Sequence, residues 1–249
     1  MPWLEAVGRL IDPSGGPVSP DSVVIDDPTW GRIEGADAVR AFWAESAEWL
    51  AARNAVVRHV ATTIGERRRV GEYELDLTID DARSTLPLAV TVDPRPDGDA
   101  IDIRIYHSQW PLLGRHRLRA PLLPVDPTVT ESDVVGAYQR ALAAGDAKAI
   151  VATFEPDGCF REPAGPQYRV CGRADLGAFY ERFFSAGGGI VLEHCTATED
   201  GVRTALEFNA VRWGHVALPP QAGIAVYERG ATGHIAHARV YDDVEGPVE

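Results

Sequence analysis

Long apolar runs are missing from this 249-residue chain, and with them the roughly 20 consecutive apolar residues that a membrane-crossing helix needs. Met1-Pro2-Trp3 opens no signal-peptide pattern. Positive charge is scarce: 24 Lys and Arg stand against 37 Asp and Glu, giving a net charge of −13 and a pI near 5.0. Such a chain lacks the basic footprint by which proteins hold nucleic acid. Cysteine is nearly absent. Cys159, Cys171 and Cys195 are odd in number and show no CxxC spacing, so they indicate neither a disulfide framework nor a zinc site. His194, His215, His234 and His237 fall at no metal-ligand spacing, and no metal is expected. Together these absences predict a soluble protein in a reducing, cytoplasmic setting. What is present is 45% hydrophobic residues, enough to bury a core in one large or two modest domains.

The most structured stretch runs from Thr130 to Phe184. Val134, Val135, Tyr138 and Leu142 recur at helical spacing, with Thr130 and Asp133 available as the N-terminal cap. Gly145 ends this helix. Asp146 can cap a second, whose apolar side is Ile150, Val151 and Phe154 and which Pro156 stops. A short strand ends at Arg161-Glu162-Pro163. A third helix then places Leu176, Phe179, Tyr180 and Phe183 on one side before Gly187-Gly188-Gly189 breaks it.

This segment resembles the opening of the ketosteroid isomerase and SnoaL-like group within the NTF2-like cone fold. The resemblance implies a curved antiparallel sheet with helices on its concave face. In the steroid isomerases a tyrosine on the first helix donates a hydrogen bond to the substrate oxygen, and a carboxylate before a proline moves the proton. Tyr138 and Glu162 fall on those positions without a gap. The group usually has Asp-Pro where this chain has Glu162-Pro163, so the base carries one extra methylene. The second acid of the isomerases falls on Ala225, which cannot donate; Asn209 is the expected substitute.

An internal repeat sets the domain count. Asp27-Pro28 precedes Arg104 by the same 77 residues (104 − 27) that separate Glu162-Pro163 from Arg239 (239 − 162). Gly35…Phe42-Trp43 parallels Gly172…Phe179-Tyr180, and Arg104-Ile105-Tyr106 parallels Arg239-Val240-Tyr241. The predicted fold is therefore α+β, two tandem cone domains at 1–118 and 129–249, joined by a stiff proline-rich linker at 119–128. The first copy is expected to be truncated: the Pro/Gly stretch from Asp12 to Pro17 replaces most of its second helix, and Trp3 stands where a tyrosine would. Within it Val23–Ile25, Glu72–Ile79, Leu86–Val92 and Ile101–Tyr106 read as strands, with a turn from Pro94 to Asp99, and Ala36–Ala52 reads as a helix. Asp27 and His107 could pair there as acid and base, but a vestigial site is expected.

In the second copy, alternation along Val202–Trp213 puts Glu207, Asn209 and Trp213 on one face, assigned to the pocket. Leu206, Phe208 and Ala210 fall on the other, assigned with Tyr73, Leu75, Leu77 and Ile79 to packing between the copies. The register carried over from the family turns Val240 and Asp242 inward. The expected catalytic set is Tyr138, Glu162, Asn209 and Asp242, and the expected substrate-binding set is Phe179, Phe183, Trp213 and Val240. The resemblance implies a cofactor-independent isomerase that shifts a proton in a hydrophobic carbonyl compound such as a steroid. Its alternatives are a SnoaL-like polyketide cyclase, an epoxide hydrolase, or a non-catalytic binding or scaffold protein. The expected partner is a hydrophobic small molecule, with no nucleic acid and no membrane. The chain would act as an intramolecular pseudo-dimer or as a homo-oligomer of it.

Overall fold

The computed structural model describes residues 7–10, 19–95, 100–131 and 133–246. Trp3, the stretch from Asp12 to Pro17, and most of the turn between Pro94 and Asp99 lie outside the described residues. The first unit is built from β1 (Val23–Asp27), β2 (Gly31–Glu34), α1 (Ala36–Ala52), β3 (Val56–Ile64), β4 (Arg69–Ile79), β5 (Ala82–Pro94) and β6 (Ile101–Tyr106), followed by the short α2 (Trp110–Leu113). The second comprises α3 (Val134–Ala144), α4 (Ala147–Ala152), β7 (Phe154–Arg161), β8 (Arg169–Cys171), α5 (Arg173–Phe183), β9 (Gly189–Glu199), β10 (Arg203–Gly214), β11 (Val216–Arg229) and β12 (Ile235–Asp242). The two six-stranded sheets share one order, β2-β1-β6-β5-β4-β3 and β8-β7-β12-β11-β10-β9. Both are mixed rather than wholly antiparallel, because the first strand of each unit lies parallel to its last, β1 on β6 and β7 on β12.

Local chemistry accounts for the helices. Asp133, rather than Thr130, caps α3 by accepting the Val135 N–H at 2.8 Å, and Asp146 caps α4 by accepting that of Ala149 at 2.9 Å. Gly145 closes α3 in the left-handed region at φ 69°, and a Cβ there would also overlap the carbonyl of Gly188. Gly145→Ala is therefore expected to cost at least about 1–2 kcal/mol, read as a lowered melting temperature. An unchanged melting temperature would rule out that close approach.

Each unit holds its own core between helices and sheet. In the second, Tyr138, Leu142, Ile150, Leu176 and Tyr180 pack on Leu206, Phe208, Ala210 and Ala225; in the first, Val39 and Phe42 pack on Tyr73, Leu75, Leu77, Leu88 and Ile105. The assignment of faces made from alternation is thus reversed. Leu206, Phe208 and Ala210, with Tyr73, Leu75 and Leu77, face the helices, because apolar helix stripes require an apolar partner. The opposite faces meet each other: Val70, Ala89 and Tyr106 of one sheet pack on Ala205, Ala222, Ile224, Val226 and Tyr241 of the other. Trp213 nevertheless points to the helix side. The pairing slips between Ala210 and Arg212 on both neighbours of β10, and one extra residue reverses every later side chain.

Charges are buried between the sheets, and they are duplicated. Arg104 grips Glu207 through Nε (2.6 Å) and Nη2 (2.8 Å), while the Tyr106 hydroxyl donates to the same carboxylate at 2.8 Å. Arg239 grips Glu72 at 2.6 and 2.8 Å, and Tyr241 donates to it at 2.7 Å. Behind each arginine stands a further pair, Arg68–Asp93 at 2.8 Å and Arg203–Glu228 at 3.1 Å. Every member lies 135 residues from its counterpart (207 − 72, 239 − 104, 241 − 106, 203 − 68, 228 − 93). The two units therefore meet about a pseudo-twofold axis. The connecting segment is pinned on the second sheet, its Arg119 carbonyl accepting from Ala222 at 2.9 Å and its Asp126 N–H donating to the His194 carbonyl at 3.0 Å.

Cysteine number and spacing indicated no disulfide, yet Cys159 and Cys171 are bonded. Strands β7 and β8 pair antiparallel with these two residues directly opposite, a register that a separation of 12 residues does not reveal. Cys195 is free and buried. No helix among the described residues is long and apolar enough to cross a membrane.

Candidate functional site

A cavity of about 290 Å³ opens between the helices and the concave face of the second sheet. Tyr138 enters from α3, Glu162 follows the end of β7, Phe183 ends α5, Trp213 comes from β10, and Val240 and Asp242 end β12; all six line the cavity. The sequence assigns these six to one site, and the fold brings them together. Two others are placed elsewhere. Asn209 lies on the inter-unit face, where its amide donates to the Leu123 carbonyl of the connecting segment at 3.3 Å and contacts the Cys195 sulfur; the reversed faces put it out of reach of the cavity. Phe179 sits behind the wall. It is 7% exposed, stacked on Phe183 with ring centroids 5.3 Å apart and set against Tyr180 at 5.0 Å.

The polar groups in this apolar space are few, mainly phenol hydroxyls and two carboxylic acids. The Tyr138 hydroxyl lies 3.0 Å from that of Tyr180, and Gln139 donates to the Tyr227 hydroxyl at 2.7 Å. Burial pushes Tyr138 and Tyr227 well above the ordinary phenol range, so each stays a neutral hydrogen-bond donor. The two carboxylic acids are raised as well. Burial raises Glu162, with Arg182 opposing. Asp242 is pushed up to about 7, chiefly by burial; the Val244 N–H opposes this, and the charges of Asp243 and Glu162 add to it. Like charges oppose the ionisation of both acids at once, so one can hold its proton while the other is ionised.

One wall of the cavity comes from the other unit. Trp110 and His116, from the segment that follows β6, line it and stand against each other with ring centroids 5.0 Å apart. Asp243 holds that segment in place. It accepts from the Ser108 hydroxyl (2.7 Å), from His116 Nδ1 (2.9 Å) and from the Arg117 N–H (2.6 Å). The bond to Asp243 raises the His116 pKa against the effect of burial. Sequence reasoning missed both residues, because they precede the second unit and contact it only through this fold. The signal was the Asp242-Asp243 doublet, where alternation turns one carboxylate into the cavity and the next toward the neighbouring unit.

Residues 135–238 match the SnoaL-like domain family. That stretch is similar to a SnoaL-like domain, and the two sheets with their helices form two tandem α+β units of one strand order. No curated protein matches the chain. Similar solved structures include a protein from Sinorhizobium meliloti suggested to be a polyketide cyclase, 20% identical, with 43% of this chain and 92% of that one aligned at a TM-score of 0.36. Another is a protein with a ketosteroid isomerase-like fold from Catenulispora acidiphila, in complex with trimethylamine: 18% identical, 46% and 88% covered, TM-score 0.39. A third is an epoxide hydrolase/cyclase-like enzyme of pyran ring formation in the polyether salinomycin: 21% identical, 44% and 87% covered, TM-score 0.37.

Proposed function

We propose that the second unit, residues 129–249, is a cofactor-independent proton-transfer enzyme that shifts a double bond in a hydrophobic carbonyl compound such as a steroid. In this reading residues 1–118 form a second domain joined to it by 119–128. The observation that carries the proposal is the pair of carboxylic acids, both raised by burial, that face one apolar cavity together with Tyr138. Ionised Glu162 takes a proton from the carbon beside the carbonyl group. Negative charge then develops on the substrate oxygen, where Tyr138 and protonated Asp242 donate hydrogen bonds. Glu162 returns the proton to the γ-carbon of the dienolate, which completes the shift and restores the carboxylate. Asp242 thereby supplies the neutral acid that Ala225 cannot. Ketosteroid isomerases use the same device, a carboxylic acid kept protonated by an apolar site so that it can donate to the oxyanion. Phe183, Trp213 and Val240 hold the apolar body of the substrate. An epoxide-opening relay that needs an arginine has less support, since no arginine lines this cavity among the described residues.

The test follows conversion of a β,γ-unsaturated ketone to its conjugated isomer by ultraviolet absorbance across pH. Turnover needs Glu162 ionised and Asp242 protonated. The profile is therefore expected to be bell-shaped, falling as pH rises through about 7, where Asp242 loses its proton. Asp242→Asn keeps a donor that cannot ionise and should remove the falling limb. A falling limb that persists in this variant would refute the role given to Asp242.

A further inference from the structure

The first unit, expected to hold only a vestige, encloses a cavity of its own of about 230 Å³. Trp30, Phe42, Trp49, Leu75, Leu86 and Leu88 form its apolar wall. Four polar side chains that are at least nine-tenths buried also line it: Asp27, Ser46, His107 and Gln109. Asp27 and His107 stand at the ends of the adjacent parallel strands β1 and β6. The Asp27 Oδ1 accepts the Thr29 and Trp30 N–H groups at 2.6 and 3.1 Å, which fixes the carboxylate and leaves Oδ2 free of those bonds. Gln109 donates to Thr29 at 3.1 Å. The Ser46 hydroxyl is enclosed and has no partner among the described residues.

His107 gives the cavity its chemistry. Its Nδ1 lies 3.1 Å from the Ser108 carbonyl. A carbonyl can only accept, so the ring proton sits on Nδ1 and Nε2 carries a lone pair. Burial holds the ring in its neutral form, against the pull of Asp27. Among the described residues no group is bonded to Nε2. His107 occupies the place that Asp242 holds in the second unit, as Asp27 does that of Glu162 (242 − 107 and 162 − 27). At that shared position the second cavity offers a protonated acid, which donates. The first offers an imidazole nitrogen, which accepts.

We propose that the first-unit cavity is a second small-molecule site, taking an apolar ligand that carries a hydroxyl group and donates it to His107 Nε2, with Ser46 and Asp27 as further polar contacts. The two units would thus bind compounds of opposite hydrogen-bonding sense, a carbonyl compound in one and a hydroxy compound in the other. A site built around an unpaired acceptor discriminates against an analogue that lacks the donor, because the acceptor is then left buried and unsatisfied.

Binding of 4-phenylphenol and of 4-methoxybiphenyl, which has the same rings but no O–H, can be followed on the full chain by calorimetry and tryptophan fluorescence. The phenol is expected to bind about tenfold more tightly than the ether, the worth of one satisfied buried hydrogen bond. His107→Phe should remove that tenfold preference while leaving the ether unaffected. Ala225→Phe, which fills part of the second cavity, should preserve it. Equal affinities of the two compounds for the wild-type chain would overturn the proposal even if His107→Phe failed to fold. So would a preference that survives His107→Phe, or one that disappears in Ala225→Phe.

Discussion

Glu207→Ala is expected to lower the unfolding free energy by about 3–5 kcal/mol, the cost of stripping one partner from a buried ion pair. Glu207 is 2% exposed and accepts from Arg104, Tyr106 and Thr196, the last at 2.7 Å. Removing it leaves Arg104, itself 3% exposed, with Asp93 at 3.4 Å as its remaining counter-charge. Glu72→Ala should cost less. Arg239 keeps Glu228 at 3.0 Å, and Ala61 stands where Thr196 serves Glu207 (196 − 135). Urea unfolding of both variants measures the difference. A Glu207→Ala loss below about 1 kcal/mol would show that the pair is not what joins the sheets, and equal losses would show that Glu228 does not cushion the Glu72 variant. The same contacts set an acid limit. Burial alone would raise Glu207, but the charge and hydrogen bonds of Arg104, with those of Thr196 and Tyr106, outweigh it and hold the group at about 2. A depressed folded-state pKa contributes stability that is present above the unfolded value and lost as pH falls. The contribution of Glu207 should therefore fade from its ordinary value of 4.5 down to about 2.

Glu162→Gln is expected to reduce turnover of the β,γ-unsaturated ketone by about 10²- to 10⁴-fold, the range for a positioned general base. The amide fills the same space but cannot take a proton, so ligand affinity should hold while kcat falls. Tyr138→Phe should lower kcat by about 100-fold, the cost of one donor to the developing oxyanion. The two losses should differ in their pH dependence. Glu162→Gln removes the rising limb, whereas Tyr138→Phe leaves it, because a phenol raised well above its ordinary range does not titrate there. Full activity in Glu162→Gln would place the working base elsewhere.

Much of the architecture is legible because it repeats. The Asp27/Glu162 and Arg104/Arg239 anchors at constant spacing expose the two units, and the helix caps at Asp133 and Asp146 are written in adjacent residues. The face assignment fails for a physical reason. Glu207 and Asn209 look like pocket residues beside an apolar alternate set, but a tandem of sheets can bury charge by pairing it across the units, and the sequence of one strand does not show its distant partner. The bulge after Ala210 adds a second error of opposite sign, which is why strict alternation puts Trp213 in the cavity on a mistaken register. Trp110 and His116 are invisible for a simpler cause: they reach the cavity from the neighbouring unit and depend on Asp243 to hold them there.

The pseudo-twofold axis has a consequence for how such a molecule can vary. In a homodimer every substitution occurs twice, so its two cavities must remain alike. Here one chain encodes each half separately, while the paired arginines and glutamates between the sheets keep the shared frame fixed. A change at residue 107 leaves residue 242 untouched, and a change at 27 leaves 162 untouched. The frame answers to both halves together, but each cavity answers only to its own residues, so the two can part in chemistry without parting in shape.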